Sequence, residues 1–188
     1  MKKIGPVSDL QNKEDLEMNK FSDREKAEYY HRCYKTADGL WFVRAEEKFD
    51  FDTALDLDRE VWKVMPKIQA RFLKKKLGAD KGLGALCECF SRKLELDGFE
   101  FEVKRSISED NGSSNIKFKI SKCPWYNILL KSKRAHLSDK IGGVICSTEY
   151  NVWASEFGLN IKFEFGKERI CCGGLNCILS FKALKNNK

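Results

Sequence analysis

The sequence predicts an α+β fold, with a helical N-terminal half packed on an antiparallel sheet of about four strands. Two observations carry that expectation. Apolar residues recur at helical spacing as far as Leu96, and from Phe99 they alternate with charged or polar residues. Glycines and prolines also stand where elements should start or stop. The composition suits such a fold, since 188 residues with 42% hydrophobic and 12% aromatic content and only 3 prolines can bury a real core.

Residues 1–20 are polar and weakly periodic and are expected to be a flexible leader; 21–188 then form a single α+β domain, helical over 22–96 and built as a hairpin, helices and a second hairpin over 98–184. Ser22 followed by Glu25 is a capping box, and only Gly39 interrupts the run to Phe49, so one long helix follows. Asp50 or Asp52 then caps a second helix. Its apolar row is Leu57, Val61, Val64, Ile68 and Phe72, with a kink expected at Pro66 and an end at Gly78; the two helices are expected to pack as a pair. A third helix spans Leu83 to Leu96 and closes at Asp97-Gly98. Phe99, Phe101 and Val103, then Ile116, Phe118 and Ile120, predict a hairpin around EDNGSS. Pro124 opens another helix at its favoured first position, and Ser138 or Asp139 opens one that runs to Phe157 and stops at Gly158. Ile161, Phe163 and Phe165, then Cys177, Leu179 and Phe181, supply two more strands around GKERICCGGLN.

The charge balance narrows the partners. Lys+Arg 35 against Asp+Glu 28 gives +7, which permits an acidic partner but lacks the dense basic stripe of a nucleic-acid binder. Nucleic acid is therefore disfavoured. The clusters Arg71, Lys74, Lys75, Lys76 and Lys131, Lys133, Arg134 are expected to be solvated, the first as cations at a helix C-terminus. Phosphate-loop, zinc-protease and dinucleotide fingerprints are missing. No apolar stretch is long enough to span a membrane, and the polar start does not resemble a secretory signal. A cytoplasmic protein is expected, in which the 8 cysteines are free, metal-bound or catalytic.

Five cysteines fall in the last third: Cys123, Cys146, Cys171, Cys172 and Cys177. That supplies enough sulfur for a tetrahedral site, with zinc the default metal and an iron-sulfur cluster second; without a metal they serve as small buried hydrophobes. Cys123 has a competing use. Cys-Pro-Trp places its sulfur at a helix start, where backbone N–H groups lower a thiol pKa and favour a nucleophile, with His31 or His136 as the candidate base. A third constellation is apolar. Asp38, Phe42 and Glu46 share a helix face beside Trp41, and Asp58 lies one turn before Trp62; with Trp125 these residues suit a ligand pocket, or else simply pair and pack.

The runs DGLWFVRAEEKF and DFDTALDLDREVW, with CPWYNILL and ICCGGLNCILSF, resemble an archaeal and bacterial family related to L-2-amino-thiazoline-4-carboxylic acid hydrolase, itself distantly similar to the vinyl reductase domain. The resemblance covers about residues 30 to 184 and implies a small-molecule-binding α+β fold with a cysteine-held zinc. By resemblance Cys123, Cys146, Cys172 and Cys177 occupy the cysteine-bearing segments, with Cys171 an extra sulfur able to substitute. The expected function is a cytoplasmic small-molecule-binding domain with a metal site. The alternative is a hydrolase acting on a C–N bond of a small cyclic or amide substrate. The partner expected is a small-molecule ligand or substrate, and a homodimer is compatible with the chain.

Overall fold

The computed structural model describes residues 20–107 and 114–184, so the leader up to residue 19 and most of the EDNGSS turn lie outside it. The chain divides into two compact units, Met1–Ala54 and Leu55–Lys188. Helix α1, Asp23–Lys48, dominates the first. Its capping box forms as expected: the Ser22 hydroxyl accepts the Glu25 N–H at 3.3 Å, and the Glu25 carboxylate accepts the Ser22 N–H at 2.8 Å. Gly39 is accommodated inside α1, which buries little besides Ala45. Asp50 starts α2, Phe51–Trp62, by accepting the Thr53 N–H at 2.7 Å.

The single kinked helix expected over 50–78 is two helices. Proline at 66 has no N–H to return to the carbonyl of Trp62, so the ladder closes there and α3, Met65–Leu77, starts afresh with Pro66 in its first turn. Gly78 ends α3 at φ 64, the left-handed region that glycine enters without strain. Helix α4, Leu83–Asp97, ends in the same way at Gly98.

Strands β1, Glu100–Ile107, and β2, Ser114–Lys122, pair as the expected hairpin, with Val103 opposite Phe118. Helices α5, Pro124–Lys131, and α6, Ser138–Phe157, then carry the chain to β3, Ile161–Phe165, and β4, Cys177–Ala183. The sheet order is β1-β2-β4-β3, antiparallel throughout. Ile116, Phe118 and Ile120 of β2, with Leu179 and Phe181 of β4, are buried, while Lys117 and Lys119 between them face water. Both α4 and α6 contact the sheet and each other, and α3 packs on both. The result is an α+β fold, as the change of apolar period implied. No described helix is long and apolar enough to cross a membrane.

The core is aromatic and carries one buried charge group. Phe90 of α4 meets Phe118, Trp153, Phe181 and Tyr150 edge-on. One turn on, the buried Lys93 ammonium lies 2.5 Å from Glu149 of α6 and 3.2 Å from Asp97, and 5.2 Å from the Phe99 ring centroid. Burial opposes its charge, but Glu149 and Asp97 outweigh burial and raise the Lys93 pKa.

Candidate cysteine-rich metal centre

Three segments deliver sulfur to one corner of the second unit. Cys123 leaves β2 in extended geometry and caps α5, its sulfur accepting the Tyr126 N–H at 3.5 Å. Helix α6 brings Asp139, Gly142, Cys146 and Glu149. The β3–β4 connection tightens into a 3-10 turn at Ile170–Cys172, and Cys177 opens β4. Glu168 holds that connection in shape, one carboxylate oxygen accepting the N–H groups of Leu175 at 2.8 Å and Asn176 at 3.0 Å. Ser138 ties it to α6 by donating to the Cys171 carbonyl at 2.7 Å. Gly142 allows the close approach, because a Cβ there would sit 3.0 Å from the Cys171 sulfur.

Burial governs the thiols. It pushes Cys123 up to about 11, although the Tyr126 N–H pulls the other way and Cys177 adds to the rise. The helix start thus acts in the direction the sequence implied, and desolvation outweighs it. Cys146 rises well above the ordinary thiol value, by burial and then by the charges of Glu149, Cys123, Cys171 and Cys177. Cys171 and Cys177 are raised by burial, with Arg169 opposing in each case. Cys146 is therefore within reach of the charge of Cys123, Cys171 and Cys177, and Cys177 within reach of Cys172.

Cys172 shares its turn with Cys171. Its exposed thiol donates to Asp139 at 2.9 Å, which pushes it up to about 12, and Arg169 donates to the same oxygen at 3.1 Å. The Cys171 and Cys172 sulfurs are 3.7 Å apart. Among the described residues, Asp139, Cys171 and Cys172 form a group whose ligand atoms all lie within 4.8 Å of one another. Of the expected set, Cys146 lies within reach of the charge of Cys123 and Cys177, while Cys172 and its substitute Cys171 stand together beside Asp139.

The aromatic and carboxylate candidates are divided between the units. In the first, Trp41 is 75% exposed, Glu46 is half-buried, and burial lifts the half-buried Asp38 carboxyl to about 6. In the second, Trp62 is buried and meets the half-buried Trp125 edge-on at 6.0 Å, while Asp58 is half-buried. His136 is exposed in the 3-10 turn Ala135–Leu137, and His31 stands on α1. Sequence reasoning missed Asp139 as a sulfur partner, having taken it only as a helix start, and missed Arg169, Lys93 and Glu149 altogether.

No curated protein matches the chain. Among solved structures it is similar to the phenol-responsive sensory domain of the transcription activator PoxR with phenol, at a TM-score of 0.49 and 13% identity, over 79% of this chain and 73% of that one. A family model matches residues 24–173, and the chain belongs to that family, a family of unknown function (DUF6125).

Proposed function

We propose that the protein is a small-molecule-binding domain of the vinyl-reductase-like kind whose cysteine-rich corner holds zinc through Cys171, Cys172 and Asp139, with one further sulfur from Cys123, Cys146 or Cys177. The observation that carries the reading is that the Cys171 and Cys172 sulfurs and an Asp139 oxygen all lie within 4.8 Å of one another. Two thiolates, a carboxylate and one further sulfur suit the tetrahedral preference of zinc. Their surroundings also suit thiolates held by a cation: Lys93 lowers the cost of charge on Cys123, and Arg169 does so for Cys171 and Cys177. Without metal, burial of Cys171 and the Asp139 carboxylate beside Cys172 keep these thiols protonated, so binding must release protons and strengthen as pH rises. The paired rings of Trp62 and Trp125, two residues after Cys123, offer the kind of aromatic wall that a small apolar ligand needs. A nucleophilic role asks for a depressed thiol, and Cys123 is raised.

Elemental analysis of the full chain, purified without oxygen or chelator, is the test. About one zinc per chain is expected, lost from Cys171→Ser and Cys172→Ser. Less than about a tenth of an equivalent of any transition metal sinks the reading, because a structural site of this kind holds zinc through purification. Visible absorption with iron in place of zinc redirects it to an iron-sulfur cluster.

A further inference from the structure

The apolar row on α2 and α3 is not buried. Leu57, Val61, Val64, Ile68 and Phe72 follow one another at spacings of four, three, four and four residues, yet their exposure runs from 46% at Leu57 to 65% at Phe72. A surface helix places its apolar residues on the face that another element covers, and monomeric proteins seldom leave a continuous apolar patch bare.

The charges beside the row are sorted by sign about its middle. Between Leu55 and Val64 stand Asp56, Asp58 and Glu60, with Arg59 and the junction residue Lys63 as the cations. From Met65 to Leu77 come Lys67, Arg71, Lys74, Lys75 and Lys76, and no acid. A two-fold rotation about Val64 lays the row antiparallel on itself and sets the acidic half of each copy against the basic half of the other. A parallel arrangement sets like charge on like. Self-complementarity of this kind is what an isologous contact requires.

We infer that the α2–α3 row is a homodimer interface and that its occupant is a second copy of this chain. Part of the charge is already engaged locally, by Arg59 with Asp56 at 2.5 Å, Lys63 with Glu60 at 2.5 Å and Arg71 with Glu156 at 3.0 Å. Exposed pairs of this sort are weak and exchange easily. Lys67, Lys75 and Lys76 make no ion pair among the described residues and can meet the partner's Asp56 and the partner's Glu60.

Sedimentation equilibrium of the full chain over micromolar to hundreds-of-micromolar concentrations tests this. The expected species has twice the 21.7 kDa mass of one chain. Val64→Asp and Ile68→Asp change exposed side chains, so they should keep the fold by circular dichroism and sediment as monomers. Lys67→Glu should weaken the dimer by roughly tenfold, and adding Glu60→Lys to it should recover most of that loss. A wild-type chain that stays at 21.7 kDa throughout overturns the inference, and would mean that another segment covers the row. A dimer indifferent to Val64→Asp and Ile68→Asp overturns it equally, since the contact then lies elsewhere. Zinc content reports on the cysteine corner independently, so the two readings fail separately.

Discussion

Asp38 illustrates what burial does to one residue. A carboxyl whose pKa in the fold is about 6 sits above its unfolded value of about 3.9, so the fold favours its protonated form. The resulting stabilisation is complete below about pH 3.9 and is lost as pH rises through about 6. At pH 7 the ionised group is a burden. Asp38→Asn should therefore stabilise the protein by about 1–2 kcal/mol at pH 7, allowing for partial solvent screening, and by nothing at pH 4. Thermal midpoints at the two pH values measure it, and a loss of stability at pH 7 would show that the carboxylate itself is needed. The sequence placed Asp38, Phe42 and Glu46 along one helical face from their spacing, but it could not assign the exposure of Trp41 on the same helix. Spacing fixes direction around an axis, whereas burial depends on what lies outside the helix. The same limit hid the pairing of Cys172 with Asp139, which approach from different elements.

At the scale of elements, the punctuation was the legible part, because caps are local chemistry. Ser22, Asp50, Gly78, Gly98, Pro124 and Gly158 bound helices as the sequence implied. Pro66 was the misjudged one, expected to bend a helix that it instead restarts. The β3–β4 connection was legible only as a turn, since the contacts that shape it are long in sequence. Gly174 shows how tight it is: a Cβ there would lie 2.7 Å from the Glu168 side chain and 2.8 Å from the Arg169 carbonyl. Gly173 differs, with open space around it but φ 85. Gly174→Ala must open the turn, at a cost of about 1–3 kcal/mol, and should carry Cys171 and Cys172 out of register with Asp139. Gly173→Ala should cost about 1–2 kcal/mol of backbone strain while leaving the sulfurs in place. Zinc content and urea midpoints of the two variants separate these effects; equal zinc retention would mean that the turn yields without moving its cysteines.

For the whole molecule, the strands were visible in the alternation but their order was not. Each hairpin is local, while the pairing of β2 with β4 joins residues some sixty positions apart, such as Phe118 with Leu179, and that pairing makes two hairpins one sheet. What α4 and α6 contribute to this core converges on Phe90, whose ring lies 5.0 Å from Phe118, 5.2 Å from Phe181, 5.3 Å from Trp153 and 5.5 Å from Tyr150. These partners come from β2, β4 and α6, so one side chain links every layer of the second unit. Rings at such spacing meet edge to face, which fixes orientation as well as area. Phe90→Ala removes that hub in a fully buried position and should cost about 3–5 kcal/mol, a large share of the roughly 5–15 kcal/mol that holds an ordinary domain together. Phe90→Leu keeps most of the volume and loses the ring contacts, for roughly 1–2 kcal/mol. Urea midpoints give the two losses, and near-ultraviolet circular dichroism of Trp153 and Tyr150 reports whether the aromatic packing survives. A loss below about 1 kcal/mol for Phe90→Ala would mean that the surrounding rings collapse into the space, and that the layers are joined mainly by the buried Lys93–Glu149 pair instead.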